Sequence, residues 1–137
     1  MPNPKILTSF NELIDSFERL TVYSKKANEE YEKKYVLNRF KLTFDLVIKN
    51  LAFILEEYKV NCKYPSDYLR NAAKFGIINN ESVFLQMLDD KYKITNLSNL
   101  QSFDGLYNNI KVKYIIILRK YIEKIDNEYI SKIKSKL

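Results

Sequence analysis

With 137 residues, 46% of them hydrophobic and 29% charged, the chain has the size of one domain, spanning 1–137, and the composition of a protein that folds. Two glycines and three prolines supply too few turns for a sandwich or barrel of many short strands, which leaves helices. The net charge is +6, with no histidine and one cysteine. This excludes a Ser-His-Asp triad, a Cys-His pair, a histidine base, a His-containing zinc site, an internal disulfide and a multi-cysteine metal cage.

The charge is unevenly placed. Residues 111–137 hold eight Lys/Arg against three Asp/Glu, whereas residues 1–110 hold fifteen against fourteen. Such a basic segment suits phosphate groups, an acidic partner or a solvated helix face. The longest unbroken aliphatic run, Ile115 to Leu118, is far short of the roughly 20 residues that cross a bilayer. Without an apolar stretch behind a basic start, no secretory signal is visible, and a cytoplasmic location away from membranes is expected. Cys62, outside any nucleophile motif, reads as a buried or half-buried thiol.

From Lys5 to Tyr64 there is neither glycine nor proline, the pattern of two long helices. Ser9 and Glu12 form a capping-box signature, after which Phe10, Leu13, Ile14, Phe17 and Leu20 recur at helical spacing. Within the polar stretch from Ser24 to Glu32 the chain is expected to turn or the helix to change partners. A second helix carries Val36, Phe40, Phe44, Val47, Leu51, Ile54, Leu55 and Tyr58 along one side and belongs in the centre of the core. Ser66 is placed to cap a short third helix that Gly76 ends. Asn79 or Asn80 starts a fourth, from Glu81 to about Lys91, followed by a loop around Lys93 to Asn96. Ser98 and Gln101 give another capping-box pattern, opening a long last helix expected to kink near Gly105 or Val112. The sum is an all-α, antiparallel four-to-five-helix bundle. Eleven tyrosines exceed what one small core holds, and Tyr23, Tyr31, Tyr35, Tyr92 and Tyr129 suit a protein interface.

Three stretches, in order, resemble one known family. Asn38-Arg39-Phe40-Lys41-Leu42-Thr43-Phe44-Asp45-Leu46-Val47-Ile48-Lys49 is similar to the family pattern QRFE(F/L)T(F/Y)ELxWK. The stretch from Pro65 to Ile78 resembles SPRDVIREAxxxGLI, and Phe84-Leu85-Gln86-Met87-Leu88-Asp89-Asp90-Lys91 resembles WLEMLDDR. Together they span roughly residues 36–125 of what looks like a nucleotidyltransferase substrate-binding subunit, a branch of the HEPN superfamily of helical bundles. The resemblance implies a homodimer and a partner, a small separate nucleotidyltransferase that carries GSxxxG and paired aspartates. The nucleoside triphosphate and Mg cofactors are implied for that partner, and none for this chain; a nucleotide or nucleotidyl-acceptor substrate is implied for the pair.

Relatives that act as toxins use R-x4-6-H-x-Y as a ribonuclease site. Here Lys91 stands at the arginine position, Asn96 at the histidine and Ser98 at the tyrosine. Asparagine does not titrate near neutral pH, and lysine keeps the charge without the bidentate fork. The reading is a non-catalytic binding subunit with a degenerate ribonuclease motif. The alternative is a toxin-type endoribonuclease neutralised by a nucleotidyltransferase antitoxin. No catalytic or metal-ligating residue is assigned. Arg39, Lys91 and Asn96 are the candidate shared polar site, with Arg70, Asp89 and Asp90 as further binding candidates. Arg39, inside an apolar run, is expected either to pair with Asp45, Asp89 or Asp90 or to contact nucleotide directly. For Asp89-Asp90, helix-end solvation or an ion pair is expected ahead of metal binding.

Overall fold

In a computed structural model, which describes residues 3–97 and 103–136, the chain is an all-α helical bundle. The helices are α1 (Pro4–Lys26), α2 (Glu30–Glu57), α3 (Pro65–Lys74), α4 (Glu81–Thr95), α5 (Phe103–Asn109), α6 (Ile115–Ile125) and α7 (Ser131–Ser135). Two π-helical turns, Ile110–Tyr114 and Asp126–Ile130, join the last three without leaving the helical backbone region. Among the described residues there is no strand.

Side-chain partners give the register. Asn3 bonds Glu56 and Glu57, Asn50 bonds Ser9, Lys49 bonds Glu12, and Thr43 bonds Ser16. One number rises as the other falls, so α1 runs antiparallel to α2. The C-terminal helices run parallel to α2: Phe40 stacks on Tyr114, Asn50 accepts from Tyr121, and the Tyr58 and Tyr129 hydroxyls meet at 2.9 Å. α4 runs against them, with Phe84 on Tyr121 and Asp90 on Tyr114. Burial follows the apolar stripes: Leu13, Leu20, Phe40, Phe44, Leu51, Ile54, Met87, Leu118 and Ile125 are inaccessible to solvent, and α2 lies in the middle.

Several element ends depart from the sequence reading. Ser9 does not cap α1. The helix starts earlier, at Pro4, whose fixed φ suits a first helical position, and Asn3 Oδ1 accepts the Lys5 N–H at 3.0 Å. Ser9 instead lies buried on the inner face, donating to the Ile6 carbonyl at 3.1 Å. Ser66 does not cap α3 either, because Pro65 already occupies the first turn and Tyr64 precedes it. The turn between α1 and α2 narrows to residues 27–29, where Glu32 Oε1 accepts the Asn28 and Glu29 N–H groups at 3.2 and 2.9 Å.

α4 continues through the expected loop to Thr95, since Ile94 extends its buried stripe. Gly76 ends α3 as read, with φ +73° in the left-handed region. The proposed cap at Ser98 and Gln101 lies outside the described residues. Of the two irregular positions expected in the last helix, Val112 falls in a π-turn, whereas Gly105 sits in ordinary helix. The second π-turn has a plain cause: buried positions step from Ile125 to Ile130, five residues apart, which i→i+5 hydrogen bonding accommodates and an α-turn does not.

Candidate functional site

Successive residues on a helix point about 100° apart, so the neighbours Asp89, Asp90 and Lys91 on α4 go to three different surroundings. Asp89 is exposed and pairs with Lys93 at 3.2 Å, one turn on. Asp90 is buried, accepting a short 2.5 Å hydrogen bond from the Tyr114 hydroxyl and a longer one, 3.5 Å, from Asn109 Nδ2. Lys93 approaches its other oxygen at 3.7 Å. Lys91 reaches across to α2 and forms an ion pair with Asp45.

Burial holds Tyr114 in its neutral form well above the ordinary tyrosine range, helped by the hydrogen bond to Asp90 and by the charge of that carboxylate. Tyr114 is thereby a donor to a carboxylate, a positioning arrangement rather than a source of protons at neutral pH. The first π-turn brings Asn109 and Tyr114, at its two edges, to the same carboxylate.

Arg39 makes no ion pair with Asp45, Asp89 or Asp90, which corrects the expected salt bridge. Asp45 is taken by Lys91, and Asp90 by Tyr114. The guanidinium turns to α1, where Nη2 donates to Ser16 Oγ at 3.2 Å. The Ser16 hydroxyl meets Thr43 Oγ1 at 2.7 Å, and Thr43 donates to the Arg39 carbonyl at 2.8 Å. Donors and acceptors close in one ring when Ser16 donates to Thr43. Arg39 Nε is buried with no hydrogen-bond partner among the described residues.

Asn96 caps the end of α4 and folds its amide back onto the Tyr92 carbonyl at 3.0 Å. Among the described residues, no hydrogen bond or ion pair joins Arg39, Lys91 and Asn96 to one another; their partners are Ser16, Asp45 and the Tyr92 carbonyl. Beside Asn96, a groove of about 200 Å³ is lined by Lys34, Leu37, Asn38, Ile94 and Leu97. Arg70 is exposed on α3, and among the described residues no ion pair joins it to Asp89, Asp90 or Lys91. Ser98 lies outside the described residues.

Cys62 is half-buried and accepts a contact from Asn71 Nδ2 at 3.6 Å. Burial, and then the charge of Asp67, push its thiol up, away from the reactive thiolate. Among the described residues, no group of three or more His, Cys, Asp or Glu can hold a metal ion, and no helix is long and apolar enough to cross a membrane.

Three sets of polar residues escaped the sequence reading: Asn109 and Tyr114 on Asp90, Ser16 and Thr43 on Arg39, and Ser9 and Tyr121 on Asn50. A signal did exist for part of this, because Thr43 and Asn50 interrupt the apolar stripe of α2 at helical spacing from Val47 and Ile54. A polar side chain there needs a buried partner.

No curated protein matches the chain in a sequence search. A family model described as nucleotidyltransferase substrate binding protein like matches residues 5–127, which runs from the first turn of α1 past the end of α6 and includes Arg39, Arg70, Asp89, Asp90, Lys91 and Asn96. The chain belongs to that nucleotidyltransferase substrate binding protein-like family.

Proposed function

We propose that this chain is the non-catalytic binding subunit of a two-chain nucleotidyltransferase. It forms a homodimer in the cytoplasm, docks a small separate catalytic subunit, and presents or itself constitutes the acceptor of the nucleotidyl group. The nucleoside triphosphate and Mg belong to the partner. Family membership supports the accessory role.

The observation that carries the reading lies on α4, where the toxin relatives place their arginine and histidine. Here the pair is Lys91, whose ammonium is neutralised by Asp45, and Asn96, whose amide is spent on the Tyr92 carbonyl. An amide moves no proton at neutral pH, so the general acid–base half of a ribonuclease is missing. The motif is degenerate by chemistry as well as by spelling.

Docking needs exposed contact area, and the corner between α1 and α2 has it. Tyr23, Tyr31 and Tyr35 are 43%, 74% and 43% exposed and line a groove of about 430 Å³. Tyrosine supplies large, amphipathic contact area of the kind enriched at interfaces.

Co-expression with the reading frame next to its gene tests the proposal. That frame is expected to encode a chain with GSxxxG and two spaced aspartates, and to co-purify with this one as a stable complex. A neighbour lacking these motifs, or a chain that elutes alone beside a genuine nucleotidyltransferase, would overturn the reading.

A further inference from the structure

We infer that the solvent-facing half of the C-terminal helix, from Lys111 to Lys124, with cations along both of its flanks, binds the phosphate backbone of a nucleic-acid strand. The inference rests on charge and geometry and is independent of the proposed pairing. Five cations, Lys111, Lys113, Arg119, Lys120 and Lys124, share this stretch with a single carboxylate, Glu123. At 1.5 Å rise per residue they extend over roughly 20 Å, the length of several phosphates.

Among the described residues, every ion pair uses a cation from elsewhere in the chain: Arg19, Lys33, Lys49, Lys91 or Lys93. Four of the five helix cations are held by neutral groups instead, Lys113 and Lys124 on the side of α3 and α4 and Arg119 on the side of α1. Lys113 Nζ donates to Gln86 Oε1 at 2.9 Å, and Lys124 Nζ to the Gly76 carbonyl at 2.5 Å and Asn79 Oδ1 at 3.2 Å. Arg119 lies over the Phe17 ring at 5.6 Å, and Lys111 over Tyr107 at 5.9 Å. Such contacts fix where the charges stand without cancelling them. Beyond this stretch the pattern changes, since Lys132 and Lys136 share a groove with Glu57 and Glu128.

A protein partner fits the face less well. Its exposed apolar residues are Val112 and Ile116, 60% and 48% exposed, far from the roughly 800 Å² per partner of a stable interface. No exposed aromatic lies within the stretch to stack on a base, so the contact is with phosphate and indifferent to sequence.

Fluorescence anisotropy with a labelled 20-nucleotide single-stranded RNA, read from 50 to 200 mM salt, tests it. With four or five phosphates neutralised, log K falls against log salt with a slope of about −3, a loss of roughly 60-fold across that range. Replacing Lys111, Arg119 and Lys120 together by glutamine reduces the slope to about −1. The matched control replaces the exposed Lys25, Lys63 and Lys74 by glutamine, removes the same net charge, and leaves the slope unchanged. Photo-crosslinking of the wild type to the same RNA keeps the test independent of whether the variants fold, with adducts expected on the 111–124 face. No binding at 50 mM salt, an equal effect of the control set, or crosslinks confined to another face each overturns the inference.

Discussion

Tyr114 shows how much one hydroxyl decides. It is wholly buried and stacked on Phe40, yet its oxygen serves Asp90, the one buried carboxylate among the described residues. Tyr114→Phe keeps the ring and removes the donor, leaving a buried charge with only a long contact to Asn109 and a distant lysine. The expected cost is about 1–3 kcal/mol, measured by urea unfolding. The double variant Tyr114→Phe/Asp90→Leu is expected to cost less than its two parts together, since it removes both ends of the interaction.

Tyrosine titration carries a pH signature. Burial raises Tyr121, whose hydroxyl donates to Asn50 at 2.7 Å, and it raises Tyr114 and Tyr129 as well. A folded-state pKa above the unfolded value of about 10 leaves stability intact below that pH and erodes it as pH climbs beyond. Each such tyrosine contributes up to about 1.4 kcal/mol per pH unit to the slope. Unfolding free energies between pH 9 and 11.5 are expected to fall, and Tyr121→Phe to fall less steeply than wild type.

These residue-level facts were only partly legible. Tyr114 is recognisable in the sequence as a member of an apolar stripe, because spacing reports which face a ring lies on. The partner of its hydroxyl is not recognisable, because Asp90 lies 24 positions away and adjacency to Asp89 suggests a carboxylate pair. Helical geometry separates that pair, sending one carboxylate to water and the other to the core.

At the scale of elements, periodicity carried the reading well and local capping carried it poorly. Hydrophobic spacing located α2 and the inner faces of α1, α4 and α6, since packing against a common core imposes one period on each. Ser9 misled because a hydroxyl at helical spacing from a carboxylate fits both a cap and an interior position, and Ser66 because a serine before an apolar stretch fits both a cap and a first turn; the prolines at Pro4 and Pro65 decided which. The π-turns carry no composition signal, only the five-residue step between Ile125 and Ile130.

The two glycines make a direct comparison of helix position with helix end. Gly76 sits at φ +73°, where a side chain is strained, and Gly105 lies in helix with no atom within 4 Å of an added Cβ. Gly105→Ala is therefore expected to stabilise by about 0.5–1 kcal/mol through the unfolded chain. Gly76→Ala is expected to destabilise by about 1–2 kcal/mol through left-handed strain. Thermal and urea unfolding of the two variants check the opposite signs.

At the scale of the whole molecule, the bundle engages three of the candidate side chains structurally: Lys91 on Asp45, Arg39 on Ser16, Asp90 on Tyr114. The family was legible in three sequence stretches because they combine core spacing with fixed polar positions, and the family match over residues 5–127 agrees with them. The arrangement around Arg39 was not legible, since competition among Asp45, Asp89 and Asp90 is settled by which helices meet, and Lys91 reaches Asp45 first.

The central claim is that α4 presents a polar surface unable to cut nucleic acid. Incubating the purified chain, free of any partner, with end-labelled RNA at low salt and resolving the products on a denaturing gel tests it most directly. The strand is expected to remain full length at every protein concentration, even where it is bound. Fragments that accumulate with time and disappear in a Lys91→Ala or Asn96→Ala variant would contradict the account.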